Sequence, residues 1–297
     1  MPPSTRIPRD DDVVIVSALR TPLCRARKGA LAHVPPATLL QTVLQATLQR
    51  TGIPGSDIED VCVGNVLLPQ NGAGAMRMAQ IVAGLPAETT ALQMVNRQCA
   101  SGLQACAMIA NRIATREITV GVGAGVESMS TNSMQQIQPP QVDYNGTQTT
   151  DATPYWNNAS AMDCLLPMGV TSDNVAKQYQ MPRHELDQFA AASHQKAAAA
   201  QKAGKFTAEI VPLSLAHNNQ VVAHDDGIRA STTPQVLAKL KPVFSPQGPT
   251  TAGNASQTTD GAAAVLLMTR AEARQRQLPI LGIWRGYGTA GGPPPLL

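Results

Sequence analysis

The first 130 residues alternate short apolar runs with amphipathic stretches. Residues 13–16 form a β-branched run of the kind that fills a buried strand, and residues 61–68, 92–96 and 120–126 repeat it. Between them the period changes. Pro36 opens and Gly52 closes a stretch in which Leu40, Leu44 and Leu48 recur every four residues, which predicts a helix with proline in its first turn and glycine just past its end. A shorter helix is predicted over 72–84, and the segment from Cys99 to Arg116 follows directly on the strand at 92–96. Strands alternating with helices in this way predict an α/β fold with helices layered on a sheet.

From 131 to 160 the chain turns to Gln, Asn, Thr, Pro and Ser with little periodicity, which marks a boundary. Residues 172–203 are helical in pattern, interrupted near Met181-Pro182 and closed by Gly204. Residues 209–213 read as a strand, 234–240 as a short helix, and 261–268 as a continuous apolar strand again. The expected organisation is one domain built from 1–130 and 251–290, with 131–250 inserted into it.

Composition narrows the function classes. The 297 residues are 43% hydrophobic and 14% charged, which suits a globular, interior-rich chain. The net charge is only +3 with both signs interleaved, and aromatic residues are 3%, so there is neither a basic stripe for phosphates nor a set of rings for bases. Nucleic acid is excluded as a partner. The five cysteines, at 24, 62, 99, 106 and 164, contain no Cys-x-x-Cys pair, so neither a disulfide framework nor a zinc site is expected and an intracellular, reducing compartment fits. No apolar stretch is long enough for a membrane span, and the first residues lack the apolar core of a secretory signal.

Cys99 stands in VNRQCASGLQA, where a strand hands over to a helix. A helix N-terminus offers unpaired N–H groups and the positive end of the dipole, which favour a thiolate, the form that attacks a carbonyl. A small buried cysteine beside Ala100, Ala105 and Cys106 explains the same residues, and on position alone packing is the commoner outcome. Cys106, in mid-helix, reads as packing.

NRQCASGLQA resembles the nucleophile segment of thiolases. GVESMS at 125–130 is similar to the strand end that follows it, and LLPMGVTSDNVA at 165–176 to the opening of their CoA-binding loop domain. DDGIRASTT, LAKLKPVF and TTAGNASQTTDGAAAVLL continue the family text in order, so the resemblance runs from about Val13 to Gly282 and leans toward 3-ketoacyl-CoA thiolases of peroxisomes. It implies a layered α-β-α thiolase fold, N-terminal half with an inserted loop domain, the C-terminal half being absent. The implied reaction is thiolytic cleavage in fatty acid β-oxidation. Cys99 attacks the keto carbon of a 3-ketoacyl-CoA, acetyl-CoA leaves, and a second CoA removes the acyl group from Cys99. The N–H of Cys99 would serve an oxyanion. No metal or cofactor is implied, CoA being a substrate.

By matching motifs, the resemblance places Arg229 near the nucleotide of CoA, Ser256 on the pantetheine, and Met168 and Phe244 along the thiol arm. On residues alone Arg229 reads as a solvated charge and Ser256 as a turn serine bonded to its own backbone. The implied partners are 3-ketoacyl-CoA, CoA and acetyl-CoA, with a homodimer for the complete enzyme.

Thiolases also use a Gly-His-Pro histidine, a Cys-x-Gly-x-Gly cysteine and an Asn-Glu-Ala-Phe motif. These 297 residues contain none of them, since His33, His184, His194, His217 and His224 all lack a following proline and Cys62-Val63-Gly64 continues as Asn-Val. The expectation is a truncated chain, weakly active or inactive, from a shortened product or an incomplete reading of the gene, with a working short form as the third possibility. A non-catalytic fragment that binds CoA or a thiolase subunit is the alternative, and a ketoacyl synthase is disfavoured by the CoA-loop text. Peroxisomal residence follows from resemblance only, because Val13-Val14 stand where a matching N-terminal address would carry His-Leu.

Overall fold

The computed structural model describes residues 7–132, 157–215 and 218–296. Most of the polar excursion expected over 131–160 therefore lies outside the described residues. The described chain forms two compact units, one within Met1–Ser133, Phe206–Gly227 and Thr258–Tyr287, the other within Met134–Lys205, Ile228–Gln257 and Gly288–Leu297.

In the first unit a mixed sheet is built from β1 (Val13–Arg20), β2 (Cys24–Arg25), β3 (Asp60–Gly64), β4 (Ala91–Val95), β5 (Val120–Ser128), β8 (Thr259–Thr269) and β9 (Gly282–Ile283). Its order is β4-β3-β5-β8-β1-β9, with β2 added beside β8. β3 pairs parallel with both β4 and β5, while β8 runs antiparallel between β5 and β1. Parallel neighbours need crossovers. α2 (Ala73–Val82) links β3 to β4, and α3 (Ser101–Ala114) links β4 to β5 by passing over β3.

The strands read as unbroken apolar runs because helices cover both faces. Val61, Val63, Leu266 and Met268 pack with Leu40, Val43 and Leu44 of α1 (Pro36–Thr51) and Met76 and Ala79 of α2. Cys62 and Leu267 alternate to the other face, against Ala105, Ile109 and Ile113 of α3. The result is the expected α-β-α layering. α1 begins at Pro36 and ends on left-handed Gly52, whose N–H donates to the Leu48 carbonyl, so the proline and glycine signals marked its true ends.

Three elements differ from expectation. The strand expected over 61–68 stops at Gly64 because the N–H of Val66 donates to the Glu127 carboxylate instead of a neighbouring strand. Residues 209–213 are not a strand; Ile210 makes a single bridge to Arg20, and the pairing is between the two-residue β6 (Leu213–Ser214) and β7 (Val221–Val222). The third difference concerns the insertion. Residues 206–227 belong to the first unit, so 131–250 is not one continuous excursion. Arg20 draws this segment back: its guanidinium donates to Glu209 at 2.7 Å and to both oxygens of Asp225 at 2.7 and 3.0 Å, and it stacks 5.6 Å from the Phe206 ring. Little of its side chain is exposed, and an unpaired guanidinium there would be costly.

The second unit is helical, with α4 (Ala159–Asp163), α5 (Met168–Gln178), α6 (Arg183–Lys202) and α7 (Pro234–Leu237). The break before Pro182 falls where the sequence placed it, with Gln180 in the left-handed region at φ 52°. Its apolar core is small, formed by Ala190, Ala191 and Leu237. Buried carboxylates complete it. Asp187 accepts from Arg183 at 2.8 Å and from Asn254 at 2.9 Å, and Asp173 accepts from Ser245 at 2.8 Å and from the N–H of Thr250 at 3.1 Å.

Candidate active site

Cys99 lies at the carboxyl ends of the parallel strands β3, β4 and β5, in the turn between β4 and α3. This is where an open α/β sheet presents loops that can meet a ligand. The turn is tightly specified. Gln98 adopts φ 47°, uncommon for a residue with a side chain, and its N–H donates to the Asn96 side chain at 2.9 Å. The hydroxyl of Ser101 accepts from the N–H of Arg97 at 2.8 Å and donates to the Gln98 carbonyl. No side chain caps α3, whose N-cap is Ala100, so part of its first-turn N–H set is left for solvent or a ligand.

Glycines set the height of α3 over the sheet. A Cβ on Gly64 would lie 2.4 Å from the carbonyl carbon of Ser101, and one on Gly123 would lie 2.5 Å from the Cα of Cys106. The helix start beside Cys99 therefore rests directly on β3 and β5. Across the strand ends, the N–H of Asn65 donates to the Val95 carbonyl at 3.1 Å and its side chain to Glu127 at 3.0 Å. Burial raises the Glu127 carboxyl above its ordinary range, offset by the N–H of Val66 and the Asn65 amide.

Among the cysteines of this unit only Cys99 is exposed. Cys24 and Cys62 are buried, and loss of hydration pushes their thiols up to about 12, with Asp226 and Asp60 respectively adding like charge. Cys106 is pushed up to about 11 by burial and its sulfur points at the Gly123 carbonyl, 3.7 Å away, the packing role expected of it. In the second unit Cys164, after α4, is also exposed. The sequence drew no attention to it.

The four residues assigned to CoA by resemblance all fall in the second unit. Met168 is the first residue of α5, and the Phe244 ring lies on the next residue, so close that a Cβ on Gly169 would be 2.0 Å from it. These two apolar side chains are both partly exposed. Asp173, one turn along α5, holds the loop that follows Phe244 through Ser245 and Thr250. Arg229 is exposed, and its N–H donates to Nδ1 of His194 on α6 at 3.2 Å. Ser256 is exposed and its hydroxyl has no partner among the described residues, so it does not serve its own turn. Asn254 does that instead, accepting from the N–H of Thr251 at 2.8 Å and donating to the Pro249 carbonyl and Asp187. Asp173, Asp187 and His194 escaped the sequence reading because a single acid or imidazole inside a helix carries no local signature.

Residues 13–271 match the family model for the thiolase N-terminal domain. The chain is 46% identical over 296 residues to the peroxisomal 3-ketoacyl-CoA thiolase 2 of Arabidopsis thaliana, covering 97% of this chain and 62% of that protein. It is 45% identical over 305 residues to the peroxisomal 3-ketoacyl-CoA thiolase A of Mus musculus, covering 100% of this chain and 69% of that protein. In structure it matches the dimeric peroxisomal thiolase of Saccharomyces cerevisiae with a TM-score of 0.88 at 38% identity, over 98% of this chain and 72% of that one. The chain thus spans roughly two thirds of the length of these relatives. With the layered sheet, the turn that carries Cys99 and a family match over most of its length, the chain belongs to the thiolase family.

Proposed function

We propose that this chain supplies the nucleophile and the CoA-binding region of a 3-ketoacyl-CoA thiolase. The observation that carries the reading is Cys99, an exposed thiol on the strand-to-helix turn of a unit whose other thiols are held back by burial. Its thiolate attacks the keto carbon of a 3-ketoacyl-CoA. Collapse of the tetrahedral adduct breaks the bond between the keto carbon and its α-carbon, the α-carbon takes up a proton from a general acid or, where none is placed, from water, and acetyl-CoA departs, leaving a thioester on Cys99. The thiol of a second CoA then loses its proton to a base and displaces the acyl group. The uncapped first turn of α3 provides donors for a developing oxyanion.

Arg229 binds the nucleotide phosphates, Ser256 the pantetheine amide, and Met168 with Phe244 the thiol arm. The open hydroxyl of Ser256 and the paired apolar surfaces at Gly169 support these roles. The proton acceptor comes from outside these 297 residues, which hold neither the Gly-His-Pro histidine nor the Cys-x-Gly-x-Gly cysteine. Proton transfer by a placed group contributes about 100- to 10,000-fold, and both halves of the reaction need it, so the chain by itself is expected to acylate slowly and to turn over slowly. Relatives named as peroxisomal support peroxisomal residence, and the dimeric yeast enzyme supports a homodimer for the complete protein.

Mass spectrometry after exposure to acetoacetyl-CoA tests the assignment. One acetyl group on the peptide containing Cys99, lost in Cys99→Ala, is expected. A folded chain that is acetylated only at Cys164, or not at all, overturns it.

A further inference from the structure

We infer that His194 is a positioning residue for the nucleotide-binding segment, holding Arg229 in place only while its imidazole is unprotonated. The inference rests on the assignment of Arg229 to the phosphates of CoA.

The backbone N–H of Arg229 donates to Nδ1 of His194 at 3.2 Å. An imidazole nitrogen accepts only without a proton, so this contact fixes the neutral ring with its hydrogen on Nε2. The neighbouring Gln195 adds a second tie, its amide reaching the Thr232 carbonyl at 3.5 Å. Two consecutive side chains of α6 thus grip the two ends of one stretch of backbone, Arg229 to Thr232. That stretch is otherwise irregular, closed by a turn in which the N–H of Thr232 donates to the Arg229 carbonyl at 3.1 Å. A guanidinium on a loosely held segment loses more freedom when it meets a phosphate, and holding its backbone beforehand reduces that loss.

Protonation reverses the contact. The ring then presents an N–H to an N–H and sets a positive charge beside the segment that carries Arg229. The residues one turn away on α6 are Ala190, Ala191, Ala197 and Ala198, the segment 228–233 holds no ionisable group besides Arg229, and α7 holds none. The nearest carboxylate on α6 facing this core, Asp187, lies seven residues back and is engaged by Arg183 and Asn254. Protonation therefore releases the Arg229 backbone, while the charge gained by the ring attracts the phosphates of CoA, so the amide of Arg229 rather than CoA affinity reads the acid effect.

The test is calorimetric titration of the full chain with CoA at about pH 8, where an ordinary histidine is neutral, for the wild type, Arg229→Ala, His194→Ala and His194→Asn. Asparagine places a carbonyl oxygen near the position of Nδ1, so it keeps the acceptor without the titration. Loss of one net hydrogen bond in His194→Ala should weaken CoA roughly 2- to 10-fold at this pH. His194→Asn should bind like the wild type there. Hydrogen exchange of the Arg229 amide in the free chain is the second arm: its protection should fall on acidification in the wild type and be absent in His194→Ala.

Equal CoA affinity for wild type and His194→Ala, or Arg229 amide protection that falls on acidification as much in His194→Asn as in wild type, overturns the inference. If the wild type binds no CoA, or if Arg229→Ala binds as well as wild type, the Arg229 assignment fails instead. Exchange then decides the contact alone, and equal protection in wild type and His194→Ala would refute it.

Discussion

Gly64→Ala tests how tightly the nucleophile turn is seated. Gly64 ends β3, pairs with Val95 and Gly125, and faces the start of α3. An added Cβ would lie 2.4 Å from the carbonyl carbon of Ser101, 2.5 Å from its oxygen and 2.6 Å from the Gly102 nitrogen, against 3.4 Å at which ordinary contact begins. The shortfall is 1.0 Å (3.4 less 2.4), and every atom in the way is backbone, so no side chain can turn aside. Overpacking of this kind costs about 1–3 kcal/mol, while alanine for glycine restricts the unfolded chain and returns about 0.4–1 kcal/mol. A net loss of up to about 2.6 kcal/mol is expected in urea unfolding. Gly102→Ala is the control. Its Cβ meets nothing within 4 Å, and a glycine-to-alanine change inside a helix should stabilise by roughly 0.5–1 kcal/mol. Relief of the clash by lifting α3 would also move Cys99, and a displacement of about 1 Å at a reacting group costs on the order of 100-fold in rate, read here as acetylation by acetoacetyl-CoA. A Gly64→Ala chain as stable as wild type, and acetylated at Cys99 as fast, would refute this seating.

Two further outcomes follow from buried groups. Cys24 and Cys62 have folded-state thiols raised from about 9 to about 12, so their contribution to stability is complete below about pH 9 and is lost as pH rises toward 12. Each should add a slope of about 1.4 kcal/mol per pH unit to unfolding free energy between those limits, and urea melts of Cys62→Ala should show the slope smaller by one such increment; an unchanged slope contradicts the burial argument. Asn254→Ala removes a donor from the Asp187 carboxylate, whose side chain is only 2% exposed, and should destabilise by about 1–3 kcal/mol, detected by denaturant unfolding; no change would mean that water replaces the amide.

How much of this was legible in the sequence depended on whether the signal was local. α1 announced itself through Pro36, the leucines at every fourth position and Gly52, all features of one helix. β5 and β8 announced themselves as apolar runs, since a strand covered on both faces needs no polar side. The end of β3 at Gly64 was not legible, because what stops it is a carboxylate on β5, Glu127, that takes the N–H of Val66. The return of 206–227 was hidden for the same reason. Arg20 pairs with Glu209 and Asp225, 189 and 205 residues away, and neither acid differs in its own neighbourhood from a solvated surface charge.

The site divides along the same line. Cys99 was readable as a residue between a strand and a helix, yet position alone favoured packing; the structure leaves its thiol exposed on a turn with a left-handed Gln98, while burial pushes the thiols of Cys24, Cys62 and Cys106 up, and this supports the role proposed for it. For Ser256 the structure changes the argument more sharply. The turn that a serine could have closed is closed by Asn254, two residues earlier, with Asp187 behind it. With those bonds made by Asn254, the exposed Ser256 hydroxyl has no part in closing the turn and faces solvent, which leaves it open to the pantetheine contact proposed for it.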